Sequence, residues 1–347
     1  MMRLPPRCTT ERGTWCGGRR PATYWLQHFQ GDAVFNRYHV NSAAGWVIND
    51  HNYCRPIRVH ANPCWVVALQ MECFRELADF MARHAEWRGL RVAGTFGDYS
   101  FPGRAGDTRS ALPPVPDALL YSPQVAEWLV NNPDVVPDHR LTPLPIGISA
   151  YSGLQSPPTA VANRWVLERA AAAPPLRTRL PRVRADFMFV GYTKNRVERD
   201  AAAAALRDNP VVVVAGGRME PHEFVVDTTR YQAIVCPPGN GIDTFRLWET
   251  LVLGALAIVK RSPNVAWLSR YAPQVVLVDD YDDITAAALE RWVAAAEAAG
   301  TANQVAFEWL EPYWRLRLHE RPLPGTPRVC PPEPGALWHA LTHWALY

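Results

Sequence analysis

YQAIVCPPGNGIDTFRLWETLVLGALAIVK, residues Tyr231 to Lys260, decides how the rest of the chain is read. Its apolar run, Tyr231 to Cys236, is stopped by Pro237 and Pro238, which predicts a strand ending at a break in the hydrogen-bond ladder. Gly239, Asn240 and Gly241 then supply a loop that tolerates positive φ and lets a ligand approach the backbone. Asp243 or Thr244 caps the helix that follows, Phe245 to Leu253 fills it, and Gly254 closes it before a second strand at Ala255 to Val259. A strand, glycine loop, helix and strand in this order form the part of an open α/β sheet where ligands sit, beyond the carboxyl ends of the strands.

The helix carries one polar stripe. Asp243, Arg246 and Glu249 or Thr250 recur at spacings of three and four, while Phe245, Leu247, Trp248, Leu251 and Val252 cover the remainder. A cation in the first helical turn is opposed by the positive end of the helix dipole, so Arg246 fits that place best if an anion such as a diphosphate docks there. Glu249, one turn on, would accept hydrogen bonds from ribose hydroxyls. The plainer alternative is an Arg246–Glu249 pair on a solvated face.

The stretch CPPGNGIDTFRLWETLVLGALAIV resembles the donor-binding motif of exostosin-like glycosyltransferases, with its Pro-Gly loop, Arg-x-x-Glu helix, Gly and strand. LTPLPIGI, Leu141 to Ile148, resembles the segment that ends the acceptor domain in that family. The resemblance implies an α/β protein of the GT-B type, with two Rossmann-like domains facing a cleft, and a nucleotide-sugar site in the C-terminal one. In that site Arg246 would neutralise the diphosphate, Glu249 would hold the ribose, and Pro238, Gly239, Asn240 and Gly241 would line the pocket beside Asp243 and Thr244. It further implies transfer to a glycan or other hydroxyl acceptor, inverting and without a metal or other cofactor.

With 347 residues the chain exceeds a single core, so two domains are expected. Hydrophobic residues at 48% exclude a disordered chain, and 36 basic against 33 acidic residues give a net charge of +3, too balanced for a nucleic-acid or membrane-surface protein. Seven cysteines form no C-x-x-C pair, and the odd count favours a reducing compartment. Cys236, within an expected buried strand, reads as a small hydrophobe. No stretch reaches the length of a membrane span and the first residues lack the apolar core of a signal peptide, so the expectation is a cytoplasmic protein, unlike the anchored Golgi plan of eukaryotic exostosin-like enzymes.

In order, the expected organisation is an acceptor-side α/β domain over residues 1–150, a Pro- and Ala-rich linker over 151–184, a nucleotide-sugar-binding domain over 185–300, and C-terminal helices over 301–347. Residues 1–20 read as a flexible lead-in. Periodicity predicts an amphipathic helix over Glu72 to Trp87 and a strand over Leu90 to Phe96. Asp98, just past that strand, is the candidate general base; a turn aspartate bonding its own backbone is the other reading, and His28, His39, His51 and His60 are rivals for the role. YSPQVAEWLVNN predicts a short helix begun by Ser122 and Pro123. The weak helix Ala160 to Ala173 lies in the linker.

The second domain opens with a strand at ADFMFVG, Ala185 to Gly191, followed by Lys194, Asn195 and Arg196 at the start of an Ala-rich helix. Lys194 or Arg196 would suit phosphates there, and solvated basic residues are the alternative. Further strands are expected at Val211 to Ala215 and Gln274 to Val278. The acidic run Asp279 to Asp283 resembles the Asp-x-Asp metal site of single-domain transferases, but its place after the donor motif favours a loop in which Asp283 caps a helix from Ile284. Helices are expected over Asn303 to His319 and Gly335 to Leu346. A transferase-like fold serving only as a binding or scaffold protein is the competing function, and a Rossmann-type oxidoreductase is a third reading, discounted because no G-x-G-x-x-G follows a strand with an acidic residue at the expected distance.

Overall fold

A computed structural model describes residues 19–21, 46–48, 54–58, 65–70, 73–94, 101, 115–133, 140–148, 159–187, 195–214, 221–261, 265, 268, 273–306 and 318. Strand β1 (Arg19–Pro21) belongs to the expected lead-in. The N-terminal half then contributes β2 (Trp46–Ile48), β3 (Ile57–Arg58), β4 (Val66–Leu69), α1 (Phe74–Arg83), β5 (Leu90–Gly94), α2 (Asp117–Leu120), β6 (Val125–Val130) and β7 (Leu141–Pro143). These strands form one six-stranded sheet ordered β3-β2-β4-β5-β6-β7, parallel except for β3. Alternation along each strand divides the core between two faces. Val67, Leu69, Val92, Trp128 and Val130 pack with Leu77, Phe80 and Met81 of α1. Val66, Ala68, Ala93, Leu129 and Leu144 pack on the opposite side with Leu318.

The helix expected from Ser122 and Pro123 is not there: VAEWLV is a strand between β5 and β7. Both of its faces are covered, so it lacks the polar alternation that announces a half-exposed strand. Its one acid, Glu127, lies 3.2 Å from Arg91 on the neighbouring strand and accepts a 2.5 Å hydrogen bond from the Thr142 hydroxyl. A disulfide joins Cys54, between β2 and β3, to Cys73 at the start of α1.

After α3 (Thr159–Ala172), the second half contributes β8 (Leu180–Ala185), α4 (Arg196–Leu206), β9 (Val212–Val214), α5 (Pro221–Thr228), β10 (Tyr231–Val235), α6 (Phe245–Val252), β11 (Leu256–Lys260), β12 (Val275–Val278) and α7 (Ala286–Ala298). Its strands are all parallel and ordered β12-β11-β10-β8-β9. Crossover helices cover both faces, as parallel sheets require. Leu247, Trp248, Leu251 and Val252 of α6 pack on Ile234, Ala257 and Val259; Ala202 and Leu206 of α4 join Leu289 and Val293 of α7 over Val183, Val235 and Ile258. The chain is therefore an α/β protein with one predominantly parallel sheet in each half.

Three placements differ from expectation. The first strand of the second half runs from Leu180 to Ala185 and so ends where the expected strand begins; Asp186 and Phe187 follow it outside the strand, and residues 188–191 lie outside the described residues. The helix expected from Asn303 begins instead with β13 (Gln304–Ala306), antiparallel to β1. Asp283 does not cap α7. Thr285 does, while Asp280 and Asp283 close a capping box around the turn Tyr281–Asp283. Residues Gly335 to Leu346 lie outside the described residues. Among those described, no helix is long and apolar enough to cross a membrane.

Gly254 ends α6 at φ +76°, and the buried guanidinium of Arg179 donates 2.9 Å to the carbonyl of Leu253, a cation at the negative end of the helix. A Cβ on Gly254 would lie 3.0 Å from Asn303 Oδ1 and 3.1 Å from its Cα. Gly254→Ala is therefore expected to cost at least ~1–2 kcal/mol for the left-handed backbone alone, read as a lower midpoint in urea unfolding with an unchanged slope.

Candidate functional site

In the second half the strand order reverses between β8 and β10: β9 lies on one side of β8, and β10, β11 and β12 lie on the other. Such a reversal opens a crevice at the carboxyl ends of the two strands, because their crossover helices leave on opposite faces. Asp186 follows β8 directly, and the Pro-Gly loop Pro237 to Gly241 follows β10. Thr244 caps α6, its side chain accepting from Leu247 N, so of the two candidate caps it is Thr244 that serves.

Arg246, on the first turn of α6, reaches back across this crevice. Its Nε is 2.8 Å from Asp186 Oδ1, with the Asp186 side chain 3% exposed and that of Arg246 21%. Its guanidinium also lies 5.3 Å from the centre of the Phe224 ring. The polar stripe of α6 does not form a solvated face, since Asp243, Glu249 and Thr250 are all buried. Thr250 Oγ1 meets the Cys236 thiol at 3.7 Å, and burial pushes that thiol up to about 12, so it stays neutral and packs as a small hydrophobe.

Beneath the loop lies Arg199 of α4, a residue the sequence reading did not select. It donates 2.8 Å to the carbonyl of Pro238 and 3.2 Å to that of Phe187. Burial pulls its guanidinium down to about 10, and the charge of Arg246 acts in the same direction. Asn195 donates to the carbonyl of Gly239 through both its backbone N–H and its side-chain amide, at 3.3 and 2.8 Å. Arg196, proposed beside it for phosphate, is exposed and pairs at 3.3 Å with Asp200 on its own helix. Lys194 lies outside the described residues. The signal that would have found Arg199 is its distance of one helical turn from Asn195, which sets both side chains over the loop.

The two halves meet at Asp243. Its carboxylate accepts 2.7 Å from Ile146 N, just past β7, and 2.6 Å from the indole of Trp248; its own N–H donates 2.7 Å to the Asn132 carboxamide, just past β6. Asp243, expected among the donor-binding residues, thus has both oxygens engaged within the protein. The carboxyl ends of β6 and β7 face the start of α6, so the opposing half meets the crevice there. Asn240 is exposed on the loop between them. Asp98, the candidate base, lies outside the described residues, as do His28, His39, His51 and His60.

No family model matches the sequence, and no curated protein sequence matches it. Among solved structures the chain is similar to the glycotransferase of kitacinnamycin, at 14% identity and a TM-score of 0.38 over 79% of this chain and 78% of that one. It is similar also to an alpha1,3-fucosyltransferase, at 12% identity and a TM-score of 0.32 over 84% of this chain and 78% of that one. Likeness at that level fixes neither activity nor substrate.

Burial pushes the Asp243 carboxyl up to about 7, outweighing the N–H donors of Ile146, Trp248 and Thr244 that pull it down. An unfolded aspartate ionises near pH 4, so between roughly pH 4 and 7 the folded state holds the extra proton and stability falls as pH rises. Asp243→Asn cannot titrate and turns an amide toward a donor, at a cost of about 1–3 kcal/mol. In thermal melts its deficit against wild type should narrow from pH 5 to pH 7.5. A constant deficit would mean that the carboxylate is already ionised at pH 5.

Proposed function

We propose that this chain transfers a sugar from a nucleotide-sugar donor to a hydroxyl of a glycan or other acceptor. The observation that carries the reading is Arg246, a partly exposed cation braced by Asp186 and Phe224 where the strand order of the second half reverses. A diphosphate in that crevice would meet the Arg246 guanidinium, the positive end of α6 and the field of Arg199 beneath the loop. Pro238, Gly239, Asn240 and Gly241 would line the donor side, and Glu249 would serve the ribose. The Pro-Gly loop followed by Arg-x-x-Glu makes an exostosin-like enzyme the nearest description of such a site.

Transfer would be a single displacement with inversion. The acceptor oxygen bonds to the anomeric carbon as the bond from that carbon to the diphosphate oxygen breaks, the nucleoside diphosphate leaves with the electron pair, and the acceptor proton passes to a base in the N-terminal half, for which Asp98 is the candidate. Charge on the leaving group grows during this step, and fixed guanidinium groups offset it without need of a metal ion.

Calorimetry with uridine and guanosine diphosphate, with and without chelator, tests the reading. Binding that survives chelation supports it; failure to bind either nucleotide would sink it. Arg246→Ala should weaken that binding by about 1.5–3 kcal/mol, the range for lost charge-assisted hydrogen bonds, and slow turnover in parallel because the same charge grows in the transition state.

A further inference from the structure

The chain spends a buried carboxylate where an anion site calls for positive charge. Asp186 stands at the exit of β8, its side chain 3% exposed, within 2.8 Å of Arg246 Nε. Its charge also reaches Arg199 and the Cys236 thiol. A carboxylate in such a place lowers the net attraction for a diphosphate, so it needs a reason.

The geometry supplies one. Asp186 Oδ1 lies 2.8 Å from Arg246 Nε as an ion pair without hydrogen-bond geometry, while Phe224 lies against the group 5.3 Å from its ring centre. A guanidinium is planar and presents its donors in a fixed fork, so a carboxylate on the Nε flank and a ring beside the group restrict rotation about the last bonds of the side chain. Arg246 keeps 21% of its side chain exposed while Asp186 lies buried below it. The ion pair therefore leaves part of the Arg246 side chain open to solvent. The next residue along does the same for the second cation, since the Phe187 carbonyl accepts from Arg199. Two successive residues at the end of β8 thus hold two guanidinium groups. Without a carboxylate among them, a buried cation and a half-buried one would be left to repel each other, a costly arrangement.

We propose that Asp186 is a positioning residue for the reaction: it acts through Arg246, setting that guanidinium edge-on to the diphosphate of the donor. This rests on the nucleotide-sugar reading and assigns within it the residue that fixes the orientation of the phosphate-binding arginine. Preorganisation is the source of the effect, because a side chain held in its binding geometry loses less freedom when the ligand arrives.

The experiment is a double-mutant cycle on affinity, using uridine diphosphate, guanosine diphosphate and inorganic pyrophosphate as probes. In the Arg246 background Asp186→Asn should weaken binding about tenfold to a hundredfold. In the Arg246→Ala background the same change should do nothing further. Melting curves establish that each variant is folded; should Asp186→Asn not fold, Asp186→Glu keeps the charge, shifts it by one methylene and should still weaken binding. Unchanged or tighter binding in a folded Asp186 variant overturns the proposal, tighter binding showing that the carboxylate competes with the ligand. An equal loss in both backgrounds also overturns it, since Asp186 would then not act through Arg246. If wild type binds none of the three probes, the nucleotide-sugar reading falls and this proposal with it; if wild type binds but the variant is unaffected, this proposal alone falls.

Discussion

The relation of the two halves depends on one buried carboxylate. Asp243 accepts from Ile146 N past β7 and from the Trp248 indole within its own helix, and its backbone N–H is met by the Asn132 amide past β6. All of these groups are buried, so none can exchange its partner for water without exposing the others. The joint holds the carboxyl ends of the N-terminal strands opposite the start of α6. The segments just past β6 and β7 therefore lie against the loop and helix start that precede Arg246.

The residues legible from sequence alone are those whose burial is unbroken. β10, β11 and β12 are nearly continuous apolar runs in a parallel sheet, and they lie within a residue or two of where periodicity and turn residues put them. The failures are strands carrying polar residues. VAEWLV contains Glu127, which looks solvated until Arg91 and Thr142 are brought to it by neighbouring strands. LPRVRA starts outside the core, so its apolar signal begins only at Val183. In each case a tertiary partner satisfies a group that local sequence reads as exposed.

The candidate site was legible to the same extent. Arg246 stood out because a cation in a first turn conflicts with the helix dipole, a conflict visible in one dimension. Asp186 and Arg199 did not stand out, since a carboxylate at a strand end and an arginine inside an Ala-rich helix are ordinary until β8, α4 and the loop after β10 converge. Asp243 stands at the expected helix start, where its carboxyl and backbone N–H join the two halves. Sequence spacing places it on the stripe with Arg246, but which side of the stripe meets the other half of the chain is decided by β6 and β7.

The glycines of the loop acquire a different explanation from the structure. A Cβ at Gly239 would lie 3.2 Å from Arg199 Nη2, and one at Gly241 would lie 2.7 Å from the Asn132 carboxamide. Gly241 has no room for a side chain, and at Gly239 one would press on the Arg199 guanidinium, because the protein packs against itself there. Arg199 and Asn195 draw the carbonyls of Pro238 and Gly239 down toward α4, and Asn132 closes over Gly241 from the other half. The loop is pinned from two sides, with only Asn240 exposed between them. A loop so fixed has little freedom left to lose when a ligand binds, and its shape is set by residues distant from it in sequence. The glycine-rich pattern therefore marks a place of close packing, beside which Arg246 stays partly open to solvent.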